Sequence, residues 1–124
     1  MSGFLILCNA NELVRIPAES LVYIASEGNY SDIRTCDGGS RTVTLQLGVI
    51  EERIDGQLSS PEHKFARIGK SLLVNLNFLH YINPARGQLV LSDCKSFKFT
   101  LKASREALRK LKDHIEKHRN DESF

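Results

Sequence analysis

No stretch of the 124-residue chain is apolar over the length of about twenty residues that a membrane-spanning helix needs. The first apolar run, Phe4-Leu5-Ile6-Leu7-Cys8, has no basic segment before it and no small-residue cleavage site after it, so it does not read as a secretory signal. A cytosolic protein without membrane contact is the expectation. The three cysteines, Cys8, Cys36 and Cys94, are odd in number and form no C-x-x-C pair. That argues against a disulfide framework and for small, partly buried thiols in a reducing compartment. Of the four histidines, His114 and His118 stand at helical i,i+4 spacing, but Ile115-Glu116-Lys117 between them lacks the H-E-x-x-H order. An exposed polar helix face is the simpler reading, and no metal is expected.

Catalytic signatures are missing too. There is no G-x-x-x-x-G-K-[ST] phosphate loop, no G-x-S-x-G elbow and no G-x-G-x-x-G after a strand. Gly38-Gly39 falls inside a hairpin signal, where it serves a turn. A Ser or Cys nucleophile needs a base within reach, and no spacing ties His63 or His80 to Ser71 or Cys94. Neither enzyme activity nor a cofactor is expected. Repeats, low-complexity tracts and linkers are likewise absent, so residues 1–124 read as one domain with a core at about 12–118 and a frayed tail at 119–124.

What is present is an uneven charge. Residues 1–62 carry 4 basic and 9 acidic side chains, whereas 63–124 carry 13 basic and 6 acidic, so a net +2 divides into −5 and +7. Such a split suits an anionic partner for one end, although a solvated lysine-rich helix gives the same count. The hydrophobic pattern is one of short strands. Leu21–Ala25 is a continuous apolar run, Glu27-Gly28-Asn29 supplies turn chemistry, and Tyr30–Cys36 resumes. Asp37-Gly38-Gly39 then turns the chain into Arg41–Leu45, which alternates with period two. Leu47, Ile50, Ile54 and Leu58 mark a short amphipathic helix, with Glu51, Glu52 and Arg53 pointing away and a stop near Gly56 and Pro61.

Strand character returns at Phe65 and Ile68, at Leu72-Leu73-Val74 and at Phe78–Ile82. A turn at Asn83–Gly87 precedes a last hairpin, Gln88–Leu91 and Ser96–Leu101, closed around Ser92-Asp93. From Ser104, a suitable N-cap with Glu106 in the first turn, a helix carries the stripe Leu108, Leu111, Ile115. The fold class is therefore mainly β: short antiparallel strands, one short internal helix and a C-terminal helix.

Two blocks in this pattern carry a resemblance. Ser20-Leu21-Val22-Tyr23-Ile24-Ala25-Ser26-Glu27-Gly28-Asn29-Tyr30-Ser31 resembles the opening block of the LytTR family, a strand, a G-N-Y turn and a second strand. Phe65-Ala66-Arg67-Ile68-Gly69-Lys70-Ser71-Leu72-Leu73-Val74-Asn75-Leu76-Asn77 resembles its second block, F-x-R, an H-R-S-like turn, an aliphatic pair and V-N-L. A hairpin and a closing basic segment follow in both, so the likeness covers residues 12–118. It implies an elongated, mostly β domain that binds double-stranded DNA as a transcription regulator, often at paired direct repeats. Loops enter successive major grooves, and the intervening minor groove is crossed between them. It also implies a weak homodimer on DNA and a receiver or sensor partner. With no receiver before residue 12, both a stand-alone regulator and a domain of a longer protein stay open.

Three contact regions follow from the resemblance. In the first loop, Asn29 and Ser31 can donate and accept toward base edges or phosphates, with Tyr30 as loop support. A solvated turn whose Asn takes a positive φ is the plainer alternative. In the second loop, Lys70 stands where many members place arginine, and Ser71 can bond a phosphate or cap the turn. Gly69 replaces the family's common histidine, and lysine lacks the bidentate fork of arginine, which favours phosphate affinity over base reading. Asn75 is expected to satisfy backbone groups. In the third region, Ser104-Arg105 comes two residues later than the family's S-R and Lys102 occupies the nearest aligned place, so Lys102 and Arg105 are the candidates, with Ser104 as helix cap. Lys98 and Arg109 are further phosphate candidates, and the acidic segment 51–55 is expected to face away from DNA. Two other readings remain: a protein-interaction module that keeps the fold, and a helix-turn-helix reader using 104–118, which one helix cannot supply.

Overall fold

The structure, a computed structural model, describes residues 3–117; the expected tail at 119–124 and His118 lie outside the described residues. Among the described residues, ten strands and two α-helices follow in the order β1 (Phe4–Cys8), β2 (Leu13–Pro17), β3 (Leu21–Glu27), β4 (Tyr30–Thr35), β5 (Ser40–Val43), α1 (Leu47–Gln57), β6 (Phe65–Ile68), β7 (Leu72–Asn75), β8 (Leu79–Asn83), β9 (Gln88–Ser92), β10 (Lys98–Lys102) and α2 (Arg105–Glu116). A five-stranded antiparallel sheet, β5-β4-β3-β7-β6, is the centre. A three-stranded sheet, β10-β9-β8, and the hairpin β1-β2 complete the set. The mainly β class with an internal and a C-terminal helix is what the sequence pattern predicts.

The two continuous apolar runs are buried on both faces, which is why they do not alternate. Leu21, Ile24 and Leu73 join α1 and the β1-β2 hairpin in one core, with Ile50 and Ile54 opposite. Val22, Leu72 and Val74 join the three-stranded sheet and α2 in a second core, against Leu89, Leu91 and Leu108. A register shift between Leu21 and Tyr23 in β3 lets Val22 and Tyr23 both lie in the second core. The bulge thus hands one extra residue to the three-stranded sheet. Each fully buried leucine contributes about 1.5–3 kcal/mol, so the ends of β3 and β7 are held from two sides.

The N-terminal hairpin is the main departure from the expected core. Leu5 and Leu7 on β1 are buried with α1, so the core begins well before residue 12. Ile6, between them, is 38% exposed and Cys8 faces out as well, and the alternation over five residues is too short a signal beside an apolar run. The free edge of β1 is closed by one side chain: Gln57 Oε1 accepts from Ile6 N (2.7 Å) and its Nε2 donates to Ile6 O (3.1 Å). Helix α1 runs through Gly56 to Gln57, with Leu58 as its buried cap.

Asn75 does what its place in V-N-L suggests. It is 2% exposed, its Nδ2 donates to Leu21 O (2.8 Å) and its Oδ1 accepts from Asn77 N (3.0 Å). It joins β7 to the start of β3 and caps the short 3-10 turn at Leu76–Phe78. Asn75→Ala leaves a buried carbonyl and an amide unpaired and should cost about 2 kcal/mol, read as a lower urea midpoint with an unchanged slope.

Candidate nucleic-acid interface

The β3–β4 hairpin closes over Gly28-Asn29, because Glu27 pairs with Tyr30. Gly28 has φ +64° and Asn29 does not have a positive φ. Glycine at the first central position with positive φ is the requirement of a type II′ turn, so Asn29 is not there for its backbone. Its Oδ1 accepts from Gln46 Nε2 (3.1 Å), just ahead of α1. The amide donor is then what Asn29 offers outward.

The next two residues exchange the parts expected of them. Ser31 is fully buried, and its hydroxyl donates to Leu45 O at 2.6 Å. A contact role for Ser31 on a nucleic acid is thereby corrected: its side chain faces the α1 core. Tyr30, expected to support the loop from inside, is 56% exposed. Both follow from one fact. Ile33 must point into the α1 core, and period two then turns Ser31 inward and Tyr30 outward.

The β6–β7 hairpin, closed by the Ile68–Leu72 pair, leaves Gly69-Lys70-Ser71 as a three-residue turn. Gly69 has φ +63° with open space around it, so backbone conformation rather than crowding selects glycine here. Lys70 and Ser71 are exposed. The turn is fixed by its main chain: Ser26 N donates to Ser71 O (2.8 Å), and Arg67 Nη2 donates to Lys70 O (2.8 Å). The other arm of Arg67 holds Glu51 Oε1 at 2.8 Å. Glu51 therefore leans against β6 instead of pointing into solvent as the helix pattern suggests. Arg67 belongs to the F-x-R signature, yet the sequence shows no reason for it until the turn's carbonyl is in view.

Because Ala25 pairs with Leu72, the turns at 28–29 and 69–71 lie at the same end of the central sheet. The β10–α2 join comes to that end as well. Gly69, Lys70, Ser71, Lys102, Ser104 and Lys110 line one groove of about 800 Å³, together with Arg67 and His114. Ser104 is the N-cap of α2, its Oγ accepting from Ala107 N at 3.1 Å, and Arg105 follows, exposed. Lys110 and His114 share the groove with Ala107 and Leu111. Spacing at i, i+3, i+4, i+7 marks a single helix face, a signal the sequence does contain. The Lys110–Glu106 pair is 3.5 Å long with side chains 78% and 81% exposed, so it restrains Lys110 little.

Not every cation comes to this end. Lys98 starts β10 while Lys102 ends it, a separation of roughly 13 Å at about 3.3 Å per residue. On the outer strands, burial pushes the Asp32 carboxyl up, but Ser40 Oγ (2.8 Å), Thr42 Oγ1 (3.2 Å) and Arg34 (3.1 Å) more than offset it and hold it below the usual range. Asp32 thus stays ionised beside Tyr30, and Arg34 balances it. Among the described residues no group of three or more His, Cys, Asp or Glu could hold a metal ion.

A mainly antiparallel β fold with a cationic groove at one end, lined by the β6–β7 turn and the start of α2 with the β3–β4 turn at the same end of the sheet, is the architecture of a DNA-binding domain class. The LytTr DNA-binding domain family matches residues 11–116, and the chain belongs to that family. A solved structure with the same fold is the LytTr DNA-binding domain of a Bacillus cereus protein assigned as a methyl-accepting/DNA response regulator. It shares 15% identity and a TM-score of 0.61, over 91% of this chain and 96% of that one. No curated protein matches the chain. The matched family span begins after β1, so Leu5 and Leu7 reach the core from outside it.

The exchange between positions 30 and 31 is testable. Ser31→Ala should cost about 1 kcal/mol of stability by orphaning the Leu45 carbonyl while leaving duplex affinity unchanged. Tyr30→Ala should leave stability within about 0.5 kcal/mol of the parent and weaken duplex binding. Urea titration and fluorescence anisotropy on one set of proteins separate the two.

Proposed function

We propose that the chain is a single DNA-binding domain that binds duplex DNA sequence-specifically to control transcription, its turns entering successive major grooves with the minor groove crossed between them. The observation that carries this is the gathering of Asn29, Lys70, Ser71, Lys102 and Arg105 at or beside the same end of the fold. Lys110 and Tyr30 join them from the structure, and Ser31 leaves the set. Among the described residues no ion pair engages Lys70 or Lys102, and Glu106, which shares the groove, pairs with Lys110, so the charges of Lys70 and Lys102 are available to phosphates. The family's regulatory setting supports paired direct repeats as target, a weak homodimer on them, a receiver or sensor as partner, and the cytoplasm as workplace. Among the described residues no helix is long and apolar enough to cross a membrane.

Affinity and specificity are expected to come from different residues. Lys70 and Lys102 act as point charges on a groove wall, whereas Asn29, held by Gln46, offers a directed amide. Lys70→Ala, Lys102→Ala and Arg105→Ala should each reduce the slope of log affinity against log salt by about one unit. Asn29→Ala should relax sequence preference at one position with the slope unchanged. Selection from a random duplex pool at low salt supplies the operator for these titrations. A pool without enrichment would overturn the reading in favour of a protein-interaction module.

A further inference from the structure

The far end of β9 and β10, away from the groove, carries a second constellation that the DNA-binding reading does not use. Cys94 occupies the turn between these strands with φ 62°, the one positive value among the described non-glycine residues. The turn enforces it. Ser92 Oγ accepts from Cys94 N (2.8 Å), and the Asp93 carboxylate accepts from the amides of Lys95 (2.9 Å), Ser96 (2.8 Å) and Phe97 (3.1 Å). Hydrogen bonds from the Ser96 hydroxyl and these amides hold the Asp93 carboxyl well below its usual range and occupy its charge. Phe97 packs edge-on against Phe78, ring centroids 5.1 Å apart, and anchors the turn from below.

This arrangement presents Cys94 to solvent beside an imidazole on the neighbouring strand β8. Sγ lies 3.7 Å from His80 Nδ1, and both residues are exposed. A histidine at that distance can take the thiol proton, and the thiolate is the nucleophile. Cys8 is exposed as well but has no such partner among the described residues, and Cys36 is partly buried. The chain therefore contains its own reference thiol.

We propose that Cys94 is a thiol–disulfide exchange site, with His80 as its base, that accepts low-molecular-weight disulfides. His80 takes the proton from Cys94 Sγ, and the thiolate attacks one sulfur of the disulfide R–S–S–R. A Cys94–S–S–R bond forms as the original S–S bond breaks, and the departing RS⁻ receives the proton from the imidazolium. One disulfide is consumed, one thiol is released, and no outside oxidant is needed.

The test uses the full chain and oxidised glutathione as the probe at pH 7, with the mass of each cysteine peptide followed over time. Cys94 should be thiolated at least about ten-fold faster than Cys8, as a base-activated thiol requires. His80→Asn should bring Cys94 down to the Cys8 rate and leave Cys8 unchanged. Equal rates at Cys94 and Cys8 in the parent protein would overturn the proposal, as would a Cys94 rate that His80→Asn does not alter. Should His80→Asn fail to fold, His80→Gln makes the same comparison, and the parent ratio decides in any case.

Discussion

The constraint that organises this molecule is burial of the central strands β3 and β7 on both faces. One face must satisfy α1 and the N-terminal hairpin, the other the three-stranded sheet and α2. A strand in that position has no solvent side on which errors of register are harmless, since a slip of one residue exchanges its two cores. The bulge at Leu21–Tyr23 is where the two demands are reconciled. Asn75, hydrogen-bonded to Leu21 O, fixes the partner strand beside it. Everything at the far ends of these strands inherits their precision.

The cationic groove is such an inheritance. Its turns are short and would wander if held only by their own residues. The main-chain bond from Ser26 to Ser71 and the Arg67 fork join them to strands that cannot shift. Lys70 is consequently an exposed side chain on a backbone held by hydrogen bonds on both sides. The third element arrives by another route, since Ser104 begins α2 where β10 ends and Leu108 and Leu111 dock the helix on the second core.

Much of this is legible in the amino-acid sequence itself. The strands from β3 to β10, α1, the Ser104 cap and the role of Asn75 follow from period, turn chemistry and capping, because each is a local decision. Three things were not local. Leu5 and Leu7 count as core only once α1 lies across them, and a five-residue apolar run cannot announce that. Ser31 and Tyr30 depend on which face of β4 meets α1, set by Ile33 and invisible in a serine beside a tyrosine. The proximity of His80 to Cys94 arises from β8 pairing with β9, across a separation of fourteen residues that carries no motif. Cys8 and Cys94, read as partly buried thiols, are exposed for related reasons: one alternates outward on β1, the other tips a turn.

The carboxamide of Gln57 closes the edge of β1 by meeting both the N–H and the C=O of Ile6, as a neighbouring strand would. An outer strand with free amides is a template on which other chains can add themselves, the usual beginning of sheet-to-sheet aggregation. Here the template is filled at its middle by a group that satisfies both polar atoms and cannot itself be extended. A single side chain from a helix thereby acts as a stop to growth. The hairpin can lie at the margin of the fold without recruiting a second molecule along that edge.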